Sequence, residues 1–411
     1  MRREFVSLLF ILYNDSKAVT DMDNFVFNLP TKVYFGKGEE NNVAKYIKEY
    51  QPHKVLLHYG GKSAKASGLL DKVKKALEEE NISYIELGGV RPNPELSLVR
   101  EGISLCQKEG IDFILAIGGG SVIDSMKGIA NGAANSEDDV WEYHLGKKKP
   151  HKSLKKAAIL TLSAAGSEMS NSCVLSNDET KEKRGCNNEL NRIDFAICNP
   201  ELTYSVNKYQ TACGIVDIGM HTIERYFALG SDTQLTDAMS EALVRTVFEF
   251  GKIAYNNPND YNARAQLMLA SSFAHNGVTN MGKTPFLTVH QLEHEVSALY
   301  PSVAHGAGLA ALWPSWARYV YKANVERWAQ YAKQVWNIDS GDKEKDILKA
   351  IDLQEQYYRE IGMPISLREL GVKETDLEYL ASRTSRDKTR ILPGYKPLGY
   401  EELLDIFKLA Y

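Results

Sequence analysis

Phe113-Ile114-Leu115-Ala116-Ile117-Gly118-Gly119-Gly120-Ser121 is the stretch on which the fold turns. The apolar run, with β-branched Ile114 and Ile117, predicts a strand over 113–117, and Val122 through Ala130 predicts a helix. A strand that runs through glycines straight into a helix is a phosphate-binding arrangement. The glycines let the backbone approach an anion, and the helix N-terminus offers free N–H groups and the positive end of its dipole. The spacing is not Gly-x-Gly-x-x-Gly, and a glycine cluster by itself is more often only a tight turn.

The flanking sequence repeats the alternation. Lys54–Tyr59 predicts a strand ending at Gly60-Gly61, Gly68–Asn81 a helix, Ser83–Leu87 a strand, and Leu96–Glu109 a helix that stops at Gly110. Pro92-Asn93-Pro94 is a rigid turn. Ala157–Leu162 and Phe195–Cys198 are further strands, and the polar segment Asn177–Asn191 is a hairpin or loop. Strand-like sequence begins at Asn24-Phe25-Val26-Phe27. From Asn207 onward the β signals almost vanish, and Thr236–Ala254, Tyr261–Asn276, Ala323–Trp336 and Lys343–Ile361 carry helical periodicity. The expected fold is an α/β domain over 22–203, built on a parallel Rossmann-like sheet, followed by an all-α domain over 204–411. Residues 1–21 are expected to be an extension outside the fold, with the natural start at Met22. Arg2-Arg3 and the apolar run Phe5–Tyr13 resemble a short secretory signal, but no small-x-small cleavage site follows, and the run is too short to span a bilayer.

With 411 residues, 44% hydrophobic, the chain has ample material for a core, and its net charge of −4 gives no reason to expect nucleic acid or an anionic membrane as partner. The five cysteines are scattered without a Cys-x-x-Cys pair, which argues against a disulfide framework and for the reducing cytoplasm.

The polar chemistry concentrates in the helical half. Asp217 with His221, and His290 with His294, are each four apart, so each pair can aim two groups at one spot from a single helix face. His305 follows closely. Imidazoles with a carboxylate suit Zn²⁺ or Fe²⁺ and suit Ca²⁺ or Mg²⁺ poorly. A rival reading takes His290-Gln291-Leu292-Glu293-His294 as the inverted zinc-peptidase motif; otherwise Glu293 and Glu295 are expected simply to face solvent.

Several segments together resemble the iron-dependent alcohol dehydrogenase family, in particular its butanol dehydrogenase-like, NAD(P)H-dependent branch. They are Phe35-Gly36-Lys37-Gly38, Tyr59-Gly60-Gly61-Lys62-Ser63, Pro92-Asn93-Pro94, Gly118 to Asp124, Gly166-Ser167-Glu168-Met169, Val216 to Thr222, His290 to His294 and Ala304-His305-Gly306. The resemblance covers nearly everything from Met22 onward. It implies a dinucleotide-binding α/β domain and a metal-binding helical domain, with Asp217, His221, His290 and His305 as ligands and His294 close to the metal without binding it. It implies that Gly118, Gly119, Gly120 and Ser121 hold the pyrophosphate, with Gly61, Lys62, Ser63, Asn93, Asp124, Thr161 and Lys183 around the cofactor. Two departures stand out: Tyr300 to Ala304 carries one extra residue before His305, and Ser170 replaces a frequent Asn.

The reaction so implied is hydride transfer between NADPH or NADH and a small aldehyde or primary alcohol such as butanal or butanol. One divalent ion, Fe²⁺ or Zn²⁺, would polarise the substrate oxygen, and His294 would relay the proton, titrating near neutral pH. NADPH is favoured over NADH, because the turn Gly60 to Lys65 has two lysines and a serine where an acid would select NAD. A glycerol dehydrogenase or a dehydroquinate synthase-like enzyme would share the architecture. The expected assembly is a cytoplasmic homodimer.

Overall fold

The computed structural model describes residues 22–61 and 63–411; the expectation for residues 1–21 lies outside them. Six strands, β1 (Lys32–Phe35), β2 (Val55–Gly60), β3 (Tyr84–Val90), β4 (Phe113–Gly118), β5 (Lys155–Leu160) and β8 (Phe195–Cys198), form one parallel sheet in the order β1-β8-β5-β4-β2-β3. Between β5 and β8, β6 (Ser172–Asn177) and β7 (Glu182–Asn187) make a separate antiparallel hairpin. The helices of this half are α1 (Val43–Lys48), α2 (Ser63–Ala66), α3 (Leu69–Glu79), α4 (Leu96–Glu109), α5 (Gly120–Ala134) and α6 (Val140–His144).

Strand β4 is apolar throughout because both of its faces are covered. Phe113, Leu115 and Ile117 join one core with Val73 and Leu77 of α3, while Ile114 and Ala116 join another with Val99 of α4 and Ile123, Met126 and Ile129 of α5. Helix α5 starts at Gly120, two residues before the expected Val122. Gly119 is its N-cap and supplies no side-chain cap, so the glycine turn itself forms the open end of the helix.

Residues 24–27 are not a strand. No neighbouring strand offers them a ladder, and the chain stays exposed, with Val26 94% accessible, as far as Pro30, just before β1.

The second half is helical: α7 (Lys208–Tyr226), α8 (Gln234–Asn256), α9 (Tyr261–His275), α10 (Thr288–Leu299), α11 (His305–Val320), α12 (Val325–Trp336), α13 (Lys343–Glu360), α14 (Leu377–Thr384) and α15 (Tyr400–Leu409). Helix α7 is buried from Thr211 to Tyr226 and forms the axis of a large apolar core. Among the described residues no helix is long and apolar enough to cross a membrane. The two halves meet through main chain: a Cβ on Gly214 of α7 would lie 2.3 Å from the Ser163 carbonyl oxygen that follows β5. Within the helical half α11 packs as closely on α7, where a Cβ on Gly306 would lie 2.2 Å from the Cys213 carbonyl oxygen.

A glycine in a helix interior is ordinarily about 1 kcal/mol worse than alanine. Gly214→Ala is expected to reverse that sign and destabilise by about 1–3 kcal/mol through overpacking, seen as a lower thermal midpoint. An unchanged or raised midpoint would show that the seam is not the tight backbone contact described here.

Candidate active site

A cleft of about 1350 Å³ runs between the halves, lined on one side by Gly120, Ser121 and Asp124 and on the other by Asp217, His221, His290, His294 and His305. Helix α7 delivers Asp217 and His221, α10 delivers His290 and His294, and His305 opens α11. Tyr300 to Ala304 form the connection between α10, which ends at Leu299, and α11.

The imidazole nitrogens converge on one carboxylate oxygen. Nε2 of His221 lies 3.4 Å from Asp217 Oδ1, and Nε2 of both His290 and His305 lies 3.7 Å from it. These separations are long for hydrogen bonds, yet they match the edge of a tetrahedron with bonds of about 2.1 Å, roughly 3.4 Å. Asp217 Oδ1 and His290 Nε2 are buried and have no hydrogen-bond partner. A divalent ion at their meeting point would satisfy both, so the donor set fits the implied metal.

Other side chains fix the rings. Glu224, three residues after His221, accepts from the backbone N–H groups of Val289 (2.6 Å) and His290 (3.1 Å) at the start of α10, and its Oε2 also pairs with His290 Nδ1. Burial disfavours a charged His290 ring, but Glu224 and Asp217 outweigh it and raise its pKa to about 9. Glu293 pairs with His305 Nδ1 and lies 3.4 Å from Lys183 Nζ, which also donates to Ser297 Oγ (3.0 Å). Despite burial, His305 and Lys183 hold the Glu293 carboxyl well below the usual range. The solvent-facing expectation for Glu293 is therefore wrong. It is fully buried because Lys183 of β7 and the start of α11, at His305 and Gly308, close over it, whereas Glu295 remains at the cleft. The peptidase reading falls with it, since Glu293 is engaged with His305 and Lys183 instead of being free to activate water.

His294 lines the cleft with its ring 5.6 Å from that of His305. Burial, with Lys183 beside it, holds it neutral well below the ordinary imidazole range, so the expected titration near neutral pH does not hold.

On the opposite wall, the open first turn of α5 carries Gly120 and Ser121 into the cleft. A Cβ on Gly119 would lie 3.0 Å from Leu162, and one on Gly120 3.2 Å from Ala165, so bare backbone lets this turn pack closely on the segment after β5. Gly118 ends β4, and its carbonyl accepts from the Thr161 N–H (3.0 Å), which sets Thr161 behind the turn. Asp124 lines the cleft but is also bound to Ser167 Oγ (2.5 Å) and the Val174 N–H (3.0 Å), tying α5 to the hairpin. Asn93 lines the cleft in a left-handed conformation, φ 59°. Gly61 is an exposed bend, while Lys62 and the Ser63 side chain lie outside the described residues.

Sequence reasoning missed Glu224, although it lies seven residues after Asp217 and so on the same face of α7. It missed His275 as well, whose ring lies tilted 4.1 Å from that of His221 while Nδ1 pairs with the Ala165 carbonyl (2.6 Å). Nothing in its spacing marks it. Lys127 was also missed: it is fully buried and donates to Ser167, Ser170 and Ser172, holding the loop that carries the cleft wall.

A parallel sheet whose glycine turn faces a carboxylate–imidazole cluster across one cleft fits a dinucleotide-binding, metal-assisted enzyme. The family models for iron-containing alcohol dehydrogenase and for the C-terminal part of the Fe-containing alcohol dehydrogenase family match residues 30–200 and 211–411, and the chain belongs to this family. It is 40% identical to the NADH-dependent butanol dehydrogenase A of Clostridium acetobutylicum, over 95% of this chain and 100% of that one. It is 32% identical to the NADPH-dependent aldehyde reductase YqhD of Escherichia coli K12, over 95% and 99%. The crystal structure of NADH-dependent butanol dehydrogenase A from Thermotoga maritima superposes with a TM-score of 0.91 at 36% identity, covering 95% of this chain and 99% of that one. The chain is accordingly an NAD(P)H-dependent alcohol–aldehyde oxidoreductase, and the oxidoreductase reading holds over its alternatives.

Glu224→Gln keeps the shape of the His290 partner but removes its charge. Metal affinity, measured by competition with a chelator, is expected to fall about 10–100-fold; an unchanged affinity would remove Glu224 from the site.

Proposed function

We propose that the protein converts a small aldehyde such as butanal, NADPH and a proton into the primary alcohol and NADP⁺, and runs the reverse reaction when alcohol is in excess. The observation that carries this reading is the pair of orphaned buried atoms, Asp217 Oδ1 and His290 Nε2, facing the glycine turn across the cleft. Asp217, His221, His290 and His305 would hold the metal. Bound there, Fe²⁺ or Zn²⁺ supplies Lewis acidity toward a carbonyl oxygen, and the dinucleotide supplies the hydride.

The remaining work belongs to the chain. Gly118 to Ser121 seat the pyrophosphate, Asn93 and Asp124 border it, and Thr161 supports the turn from behind. Lys183 holds Glu293, and Glu293 orients His305. His294, neutral and at the cleft wall, passes a proton from solvent toward the substrate oxygen, picking up one at one ring nitrogen as it gives one from the other. Phe286 and Leu287 provide apolar wall beside the cluster. Residues 22–203 thus act as the dinucleotide-binding domain and 204–411 as the metal-binding domain. A cytoplasmic homodimer is the proposed working form.

Cofactor choice rests on the turn after β2. The relatives named for NADH and the one named for NADPH leave both open, while Gly60 to Lys65 offers two cations and no acid to a 2′-phosphate.

With metal-loaded protein and a panel of aldehydes, initial rates at equal cofactor concentration are expected to be higher with NADPH. Equal or faster rates with NADH would reject that preference, and no oxidation of either cofactor would reject the reductase. His294→Ala is expected to lower kcat about 10²–10⁴-fold with metal content unchanged; loss of the metal together with turnover would make His294 a ligand.

A further inference from the structure

At one corner of the cleft stand four guanidinium groups that the hydride reaction does not use: Arg184 on β7, Arg383 on α14, and Arg386 and Arg390 in the loop that follows α14. Two are matched. Glu182 accepts from Arg184 at 2.5 and 3.2 Å, and Glu295 accepts from Arg383 at 3.3 Å. Arg386 and Arg390 have no carboxylate partner among the described residues. The one other acid at this corner, Asp387, accepts from Ser382 Oγ (3.1 Å).

Arg390 is the informative one. It is half-buried, and its Nη2 donates to a neutral partner, Gln291 Oε1 (2.5 Å), on the residue that follows His290 along α10. Burial and the neighbouring Arg386 and Arg184 act against its charge, and only Glu295, already taken by Arg383, favours it. A partly desolvated guanidinium facing two others across an open cleft lacks a counter-ion, and the cleft is where one can enter.

The backbone here is held in an unusual form. Arg386, Asp387 and Lys388 are three consecutive non-glycine residues in the left-handed region, with φ of 49°, 53° and 64°. The loop is fixed by Asp387 N–H to Ser382 O and Arg390 N–H to Ser385 O, both 2.8 Å. Strained loops of this kind persist where surrounding contacts over-determine them, and they gather at ligand clamps.

We propose that Arg390 and Arg386 seat an anionic far end of the substrate, so that the preferred substrate is an aldehyde carrying a terminal carboxylate. The guanidinium fork matches a carboxylate, and the seat is tied through Gln291 to the helix that carries His290, which sets the aldehyde and the acid at opposite ends of one short chain. The inference rests on the reductase reading and narrows its substrate class.

The test compares 4-oxobutanoate and 5-oxopentanoate with butanal and pentanal on metal-loaded wild type and on Arg390→Gln and Arg386→Gln, with binding of succinate followed by calorimetry. In the wild type the acid is expected to be preferred in kcat/KM by about 10–100-fold, with the preference shrinking as salt rises and falling toward one in Arg390→Gln. Reduction of butanal with no preference for the acids and no succinate binding by the wild type overturns the anion seat and leaves the reductase standing. Failure of all four aldehydes, with succinate bound by the wild type and lost in Arg390→Gln, overturns the reductase and keeps the seat. An Arg390→Gln enzyme that raises KM for NADPH while leaving the aldehyde ratio unchanged overturns the proposal by giving Arg390 to the cofactor. Should Arg390→Gln fail to fold, the wild-type ratio, its salt dependence and Arg386→Gln still decide.

Discussion

Asp217 Oδ1 is a buried carboxylate oxygen with no hydrogen-bond partner, carried on the buried helix α7. Leaving a buried acceptor unpaired costs about 1–3 kcal/mol, and more for a charged one. Three imidazole nitrogens stand 3.4–3.7 Å away, too far to relieve it by hydrogen bonding. They cannot close in, because each ring is anchored elsewhere: His290 by Glu224, His305 by Glu293, and His221 between Arg225 and the ring of His275. The local charges point the same way. Asp217 and Glu224 favour positive charge at His290. A divalent cation at the meeting point would supply that charge and satisfy the orphaned oxygen together.

Such a cluster reaches a dinucleotide only if the two halves of the chain are fixed closely and in register. Strand β4 feeds the open end of α5 into the cleft from one side, and α7 and α10 enter from the other. Because the seam is main chain against main chain at Gly214 and Ser163, small changes in side-chain packing cannot let the halves drift. Hydride transfer demands this kind of fixed approach, since reacting atoms must be held at about 3–3.5 Å. The hairpin β6–β7 adds a second strut, with Lys183 reaching across to Glu293 and Ser297 of α10.

Much of this was legible in the sequence, for physical reasons that differ by element. Strand β4 and the helices α4, α8 and α13 announce themselves through local periodicity, and Asp217, His221, His290 and His294 through spacing within a single helix. The reading failed where partners are distant in sequence. Residues 24–27 have strand composition but no neighbour to pair with. Glu293 sits where a solvent-facing acid would sit on an isolated helix, and the arrival of His305 from α11 and Lys183 from the hairpin makes its burial tolerable. His294 has the residue type of a neutral-pH titrator, yet burial and Lys183 depress it. The placement of His305 depends on where α10 ends and α11 begins, which composition does not determine.

Helix α10 joins these features. Successive residues on a helix are rotated by about 100°, so His290 and His294 share one face while Gln291 and Glu295 share the next. All four line the cleft. The first face completes the cluster around Asp217; the second holds Arg390 and Arg383. A single rigid element therefore fixes the separation between the place where a carbonyl would react and the corner where arginines gather. The arginines themselves come from β7, α14 and the loop beyond it, none of which carries a residue of the Asp217 cluster. Changes in that corner can alter which molecule fits while leaving the cluster intact, and the demanding geometry at Asp217 need be built only once.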